Sequence, residues 1–327
     1  MVVVSTNANF GKSTYFQNMN RLAFTEINKG SQVGISILVI IGSFLVTVIL
    51  SILITIPLFG LNFAQLQSLD NLTNPAYINA FKFMQIMQST GLFILPPIII
   101  GKIFSSNTFG YLKINLLPSY KLILLAFGIA AFAIPAINLI AMLNSQIRLP
   151  NFMSGIEASL KSSEKNAETI TTAFMNVTTL PGLFLNLFMM ALIPAIGEEF
   201  FFRGFLQKMI SGWLNKHAAI ILTGFIFSAI HMQFYGFFPR WLLGMLLGYM
   251  FVWSGNLWLP IAAHFANNAI AVIGYYLVNI HAINEKSVDF GSTFDSTTII
   301  ITLLSFFMMT GAIYLFYTNK AKKTIQD

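Results

Sequence analysis

Residues 33–60 read VGISILVIIGSFLVTVILSILITIPLFG, a stretch without one charged side chain. A hydrocarbon core is crossed by about 20 helical residues. Inside it every backbone N–H and C=O must be satisfied within its own segment, which selects the helix. The stretch is therefore expected to be a spanning helix. It is too long for the apolar region of a cleaved signal, so it is expected to stay as the first span. Comparable stretches recur at 82–104, 122–144, 183–203, 218–235, 238–254, 257–280 and 298–318. The fold class that follows is all-α, a polytopic membrane helical bundle with about eight transmembrane helices.

Composition agrees with this reading. Of 327 residues, 56% are hydrophobic and 9% charged, against roughly 25% charged in soluble domains. Cysteine is absent, which excludes a disulfide framework, a thiol nucleophile and a cysteine zinc site. The net charge of +7 comes from basic residues placed singly at the ends of apolar segments. Without clustering or interleaved aromatics, that charge predicts no nucleic-acid partner. Gly11-Lys12-Ser13-Thr14 copies the end of a nucleotide-binding loop, but Thr6 stands where the full pattern requires Gly, and no strand precedes it. The run is read as part of a polar tail.

Basic residues accumulate in cytoplasmic loops, and twelve of the eighteen Lys and Arg fall on one side of the alternating loops. Lys82, Arg148, Lys161, Lys165, Arg240 and Lys286 fall on the other, diluted by Asp70, Glu157, Glu164, Glu168, Glu285, Asp289 and Asp295. Both termini are expected in the cytoplasm. The polar run Ser159–Thr172 lies in the longest external segment and reads either as an interfacial helix or as a flexible loop.

Ionisable groups inside spans cost about 2.5 to 3.5 kcal/mol on insertion scales, so they are usually paired or functional. Here they concentrate. Ile196-Gly197-Glu198-Glu199-Phe200-Phe201-Phe202-Arg203-Gly204 sets two carboxylates and an arginine in an apolar helix. Glu199 and Arg203, four apart, share a face and can neutralise one another, leaving Glu198 to point elsewhere. The bland alternative is a solvated helix end with Arg203 snorkelling to the interface. The fifth span ends Phe227-Ser228-Ala229-Ile230-His231, and the seventh contains His264-Phe265-Ala266-Asn267-Asn268. The same four-residue spacing aligns Phe227 with His231 and His264 with Asn268. Each histidine alone reads as a structural hydrogen-bonder between helices. Both lie close in sequence to the acidic pair, and that coincidence favours a shared site.

Depth is consistent with convergence. With the loop after the fourth helix near Ser211–Lys216, Glu198 stands about 20 Å and His231 about 22 Å along their helices. His264 and Asn268 stand about 12 and 18 Å from the same side. A carboxylate and an imidazole sheltered from water can activate a water molecule as general base. A second imidazole and an amide can donate to the oxyanion that develops on a carbonyl. Amide hydrolysis follows from that set. There is no Gly-x-Ser-x-Gly turn and no His-Glu-x-x-His helix. No cofactor is certain: Glu198, His231 and His264 could instead hold zinc or another divalent metal, which the sequence leaves open.

The motifs Glu198-Glu199-x-x-x-Arg203, Phe227-x-x-x-His231 and His264-x-x-x-Asn268, in this order, resemble the CPBP (Abi) family of intramembrane proteases, which includes the type II CAAX prenyl endopeptidases. The Phe202-Arg203-Gly204 ending is similar to the prokaryotic branch. The resemblance covers about 183–276 and implies that Glu198 and His231 activate water while His264 and Asn268 hold the oxyanion. It implies supporting roles for Glu199 and Arg203, and a cavity wall at Phe227. It leaves metal dependence open, although the family also carries a metalloprotease label. The implied partners are the lipid bilayer and a peptide or membrane-protein substrate, prenylated or not, with bacteriocin maturation and self-immunity among the roles of prokaryotic relatives. The expected organisation is a cytoplasmic tail at 1–32, a transmembrane domain at 33–318 with its catalytic core at about 183–276, and a cytoplasmic tail at 319–327, in a prokaryotic plasma membrane. A secondary transporter using the same midplane polar residues, or a non-catalytic immunity or processing factor, are the competing readings.

Overall fold

The computed structural model describes residues 27–66, 72, 74–284 and 295–324. The Gly11–Thr14 run and most of the N-terminal tail lie outside the described residues, as do Asp70, Glu285, Lys286, Asp289 and residues 325–327. Among the described residues the chain is helical and contains no strand. Six helices among the described residues are long and apolar enough to cross a membrane: α1 (Lys29–Phe59), α2 (Pro75–Phe104), α4 (Tyr120–Ser145), α6 (Leu180–Ser211), α9 (Trp258–Asn279) and α10, whose spanning part is Ser296–Asn319. Between them lie the short α3 (Thr108–Leu112), the polar α5 (Ser154–Met175), α7 (Lys216–Ala229) and α8 (Phe237–Ser254). These eight helices other than α3 and α5 stand where the eight apolar stretches were read, although α7 has only 14 residues. The run Ser159–Thr172 is helical, within α5.

Helix α1 shows that lipid is the solvent. Leu38, Val46, Leu53 and Leu58 are exposed, whereas Ser36, Thr47, Ser51 and Thr55 are its buried residues. The buried Ser36, Thr47 and Ser51 hydroxyls bond back to carbonyls three or four residues earlier, for example Ser36 Oγ to Gln32 O at 2.7 Å. Small side chains let backbones approach where apolar attraction between helices is weak. A Cβ added to Gly91 would lie 1.7 Å from Thr47 Oγ1, so only Gly fits where α1 crosses α2. The same device joins α7 to α8, where a Cβ on Gly244 would stand 3.0 Å from Gly224 Cα. Helix α4 packs against α8, α9 and α10 through Ala126, Ile129, Leu247, Met250, Ala263 and Phe316.

Three expectations need correction. Asn74 caps α2 by accepting from Ala76 N, with Pro75 at the first position. Lys82, counted as a loop charge, therefore lies well inside α2, 4% exposed, and donates to Asn186 Oδ1 at 2.8 Å. The fifth span was expected to run to 235, but α7 ends at Ala229 and His231 sits in the turn beyond it. That turn is built by Ser228 Oγ donating to Phe237 O, and by Asn144 of α4, which donates to Phe234 O and accepts from Phe238 N. Arg240, also counted as a loop charge, lies in the first turn of α8.

Candidate active site

Glu198 and Glu199 end the α-helical turn Ile193–Glu199 of α6, between π-helical segments at Leu187–Leu192 and Phe200–Leu206. Such wide turns are uncommon and frequently occur at functional sites. Gly197 allows this part of α6 to close on α2, since a Cβ there would stand 3.0 Å from Phe93 Cβ and Ile94 Cγ1. The two carboxylates leave the helix in different directions.

Glu199 points into protein. It and Arg203 are fully buried, with Arg203 Nη1 donating to Glu199 Oε1 at 2.5 Å and Nη2 to Gly244 O at 2.7 Å. The guanidinium also lies 5.0 Å from the centre of the Phe227 ring. The same Glu199 oxygen accepts from His264 Nδ1 at 2.8 Å. An ionised carboxylate can only accept, so this contact requires a proton on Nδ1. His264 Nε2 then faces Glu198, with 3.8 Å between it and Oε2. That separation is too long for a hydrogen bond and suits a shared water or substrate oxygen.

His231 is held by a parallel device. Its Nδ1 donates to Phe227 O at 2.7 Å, so Nε2 is again the nitrogen left for chemistry. The Phe227 ring contacts the His231 and His264 rings, with centroids 5.2 and 5.9 Å away. On α9, Asn268 Oδ1 accepts from Asn267 Nδ2 at 3.2 Å, which leaves the Asn268 amide as its donor end.

A cavity of about 360 Å³ joins these groups, lined by Glu198, Phe227, His231, His264 and Asn268. Glu199 and Arg203 stand behind its wall. The structure thus gathers the sequence-identified residues around one space, three of them from α6 and α9 and His231 from the turn after α7. Sequence reasoning missed Arg240 and Asn267, which also line the cavity, and Met175 from the end of α5. For Arg240 a signal was available: a cation in the first turn of a helix opposes the helix dipole.

Among the described residues, no three His, Cys, Asp or Glu side chains form a set that could hold a metal ion. Both Nδ1 atoms are committed to other partners, which leaves Nε2 as the free nitrogen of each imidazole.

Helix α5 closes over one side. Asn279 of α9 donates to Met175 O, and Asn186 of α6 to Phe174 O, both at 2.8 Å. Glu164 accepts from Tyr235 N and Glu157 from Tyr235 Oη, tying α5 to the turn that carries His231. The Lys161 ammonium, 2.6 Å away, holds the Glu157 carboxyl below its ordinary value.

Residues 180–270 match the family described as type II CAAX prenyl endopeptidase Rce1-like. The match contains every motif residue from Glu198 to Asn268, so it falls on the segment that carried the resemblance. The uncharacterized protein YpbD of Bacillus subtilis (strain 168) is 34% identical over 92 residues, which is 26% of this chain and 43% of YpbD. The matched region thus spans less than half the length of that relative. No solved structure matches the chain.

Proposed function

We propose that the cavity is the active site of an intramembrane endopeptidase of the CAAX-endopeptidase kind. The observation that carries this reading is the 3.8 Å gap between Glu198 Oε2 and His264 Nε2, on a cavity that His231 and Asn268 also line. Glu198 removes a proton from a water that His231 Nε2 orients, and the water oxygen attacks the peptide carbonyl carbon. The oxyanion accepts hydrogen bonds from Asn268 Nδ2 and from the Nε2–H of His264, which acts in its doubly protonated form. Glu199 balances the imidazolium, as a buried carboxylate does behind a catalytic histidine. Glu198 then delivers its proton to the amide nitrogen as the C–N bond breaks.

In this reading the chemistry resides in about 183–276 of a membrane domain at 33–318, and no metal is needed. Lys82 and Arg240 lie inside helices, so the loop charge that remains supports cytoplasmic tails at 1–32 and 319–327. The substrate is a peptide or membrane protein of a prokaryotic plasma membrane. The test is cleavage of a peptide library by the full-length protein in proteoliposomes, wild type against Glu198→Gln. The variant is expected to lose at least about 100-fold in rate; cleavage at the wild-type rate would falsify the assignment.

A further inference from the structure

Two arginines serve this region, and among the described residues only one of them has an ion-pair partner. Arg203 is neutralised by Glu199 and spends its second terminal nitrogen on Gly244 O, so that only its Nε, turned away from the cavity lining, is left without a partner. Arg240 lines the cavity itself, and among the described residues no carboxylate lies within salt-bridge distance of it. Its Nη2 donates to Gln233 Oε1. Its Nη1 is buried without a hydrogen-bond partner.

A buried cationic donor left unmatched is costly, and this one serves no helix-stabilising purpose. It stands in the first turn of α8, where the helix dipole already places positive potential. The N–H of Phe238 is capped by Asn144 Oδ1, and Pro239 has none. Gly236 leaves room for the guanidinium, since a Cβ there would stand 3.0 Å from Arg240 Nη2. Dipole and side chain together make one wall of the cavity attractive to an anion, and the carboxylates that act on Arg240, those of Glu198 and Glu164, do so from beyond ion-pair distance.

We infer that Arg240 is a specificity-determining residue that binds a carboxylate of the peptide substrate. This rests on the peptidase reading of the same cavity. The anions a peptide carries are its C-terminal carboxylate and its Asp or Glu side chains, and guanidinium pairs with either through parallel N–H···O bonds. Bound there, the carboxylate anchors the chain near Glu198 and Asn268, so cleavage falls close to the anionic group. A residue that merely held the His231 turn through Gln233 would affect all substrates alike.

The experiment uses the full-length protein in proteoliposomes and one randomised peptide library in three forms: free C-terminus without acidic residues, the same library amidated, and the amidated library with one Glu per peptide. Wild-type protein is expected to cleave a carboxylate-bearing form about tenfold or more faster than the neutral form. Which of the two anionic forms is preferred identifies the source of the carboxylate. Arg240→Gln should bring that ratio close to one, chiefly through KM, and Arg240→Lys should retain part of it. Equal wild-type rates on all three forms, or an unchanged ratio in Arg240→Gln, would overturn the role of Arg240 and leave the peptidase reading standing. Absence of cleavage of every form by wild-type protein would overturn both.

Discussion

Helix α6 carries two buried polar clusters, twelve residues or about 18 Å apart, and they behave as opposites. At Asn186 the cluster is closed: the Lys82 ammonium meets the Asn186 carbonyl and the face of Phe174, and the Asn186 amide meets Phe174 O. It fastens α2, α5 and α6 together. At Glu198 the cluster is divided. Glu199, Arg203 and one edge of His264 are bound tightly, while Glu198, His264 Nε2, Asn268 and Arg240 face an open space. Burial of charge does not by itself mark a site. A cavity lined by polar atoms that neighbouring residues hold in place does.

Substitutions can break this comparison. Arg203→Met strands the Glu199 carboxylate in the interior and is expected to cost about 3 to 5 kcal/mol, read as loss of unfolding stability in detergent. Stability within experimental error of wild type would show that the Glu199 side is not a closed ionic support. Asn268→Ala should leave stability nearly intact and slow hydrolysis by about 10²- to 10³-fold, the usual loss of one oxyanion donor; a rate within a few-fold of wild type would remove it from the site. Lys82→Met should do the reverse. It leaves Asn186 Oδ1 without its donor at about 1 to 3 kcal/mol, while kcat/KM per folded molecule stays within about twofold. If activity collapsed with stability unchanged, the Lys82 cluster would belong to the chemistry and the contrast would fail.

The smallest expected effect concerns pH at α5. Glu157 is held below its ordinary value of 4.5, first by the hydrogen bond from Lys161. A carboxylate with a lowered folded-state value contributes stability above its unfolded value and loses it as pH falls through the folded one. Hydrogen-exchange protection factors in residues 230–236, corrected for the intrinsic pH dependence of exchange, should therefore hold between pH 7 and 5 and fall modestly below about 4.5, where Glu157 lets go of Tyr235. Protection that fell instead on raising the pH would contradict the contact.

Patterns local to one helix were legible in the sequence. The uncharged run at 33–60 gave α1, and the four-residue spacing gave the Glu199–Arg203 pair with Glu198 facing elsewhere. What escaped depends on distant partners. Apolar residues Met232, Phe234 and Phe237 carry the hydropathy past the end of α7, while the turn that stops it is held by Asn144, some ninety residues earlier. Lys82 looks like a loop charge until Asn186 is placed beside it. The Nδ1 contact of His264 with Glu199 crosses 65 residues, so the spacing of the motifs could bring His264 near the acidic pair without revealing which carboxylate it would bind. Arg240 needed the cavity to be seen before its unmatched nitrogen had meaning.

The claim on which the rest stands is that Glu198 and His264 act on one reacting centre. A double-mutant cycle on kcat/KM, with Glu198→Gln, His264→Ala and both together, measures this directly. Groups that act as a unit are strongly non-additive, so the double variant is predicted to be no slower than the slower single variant. Losses that multiply, as for independent sites, would contradict the account.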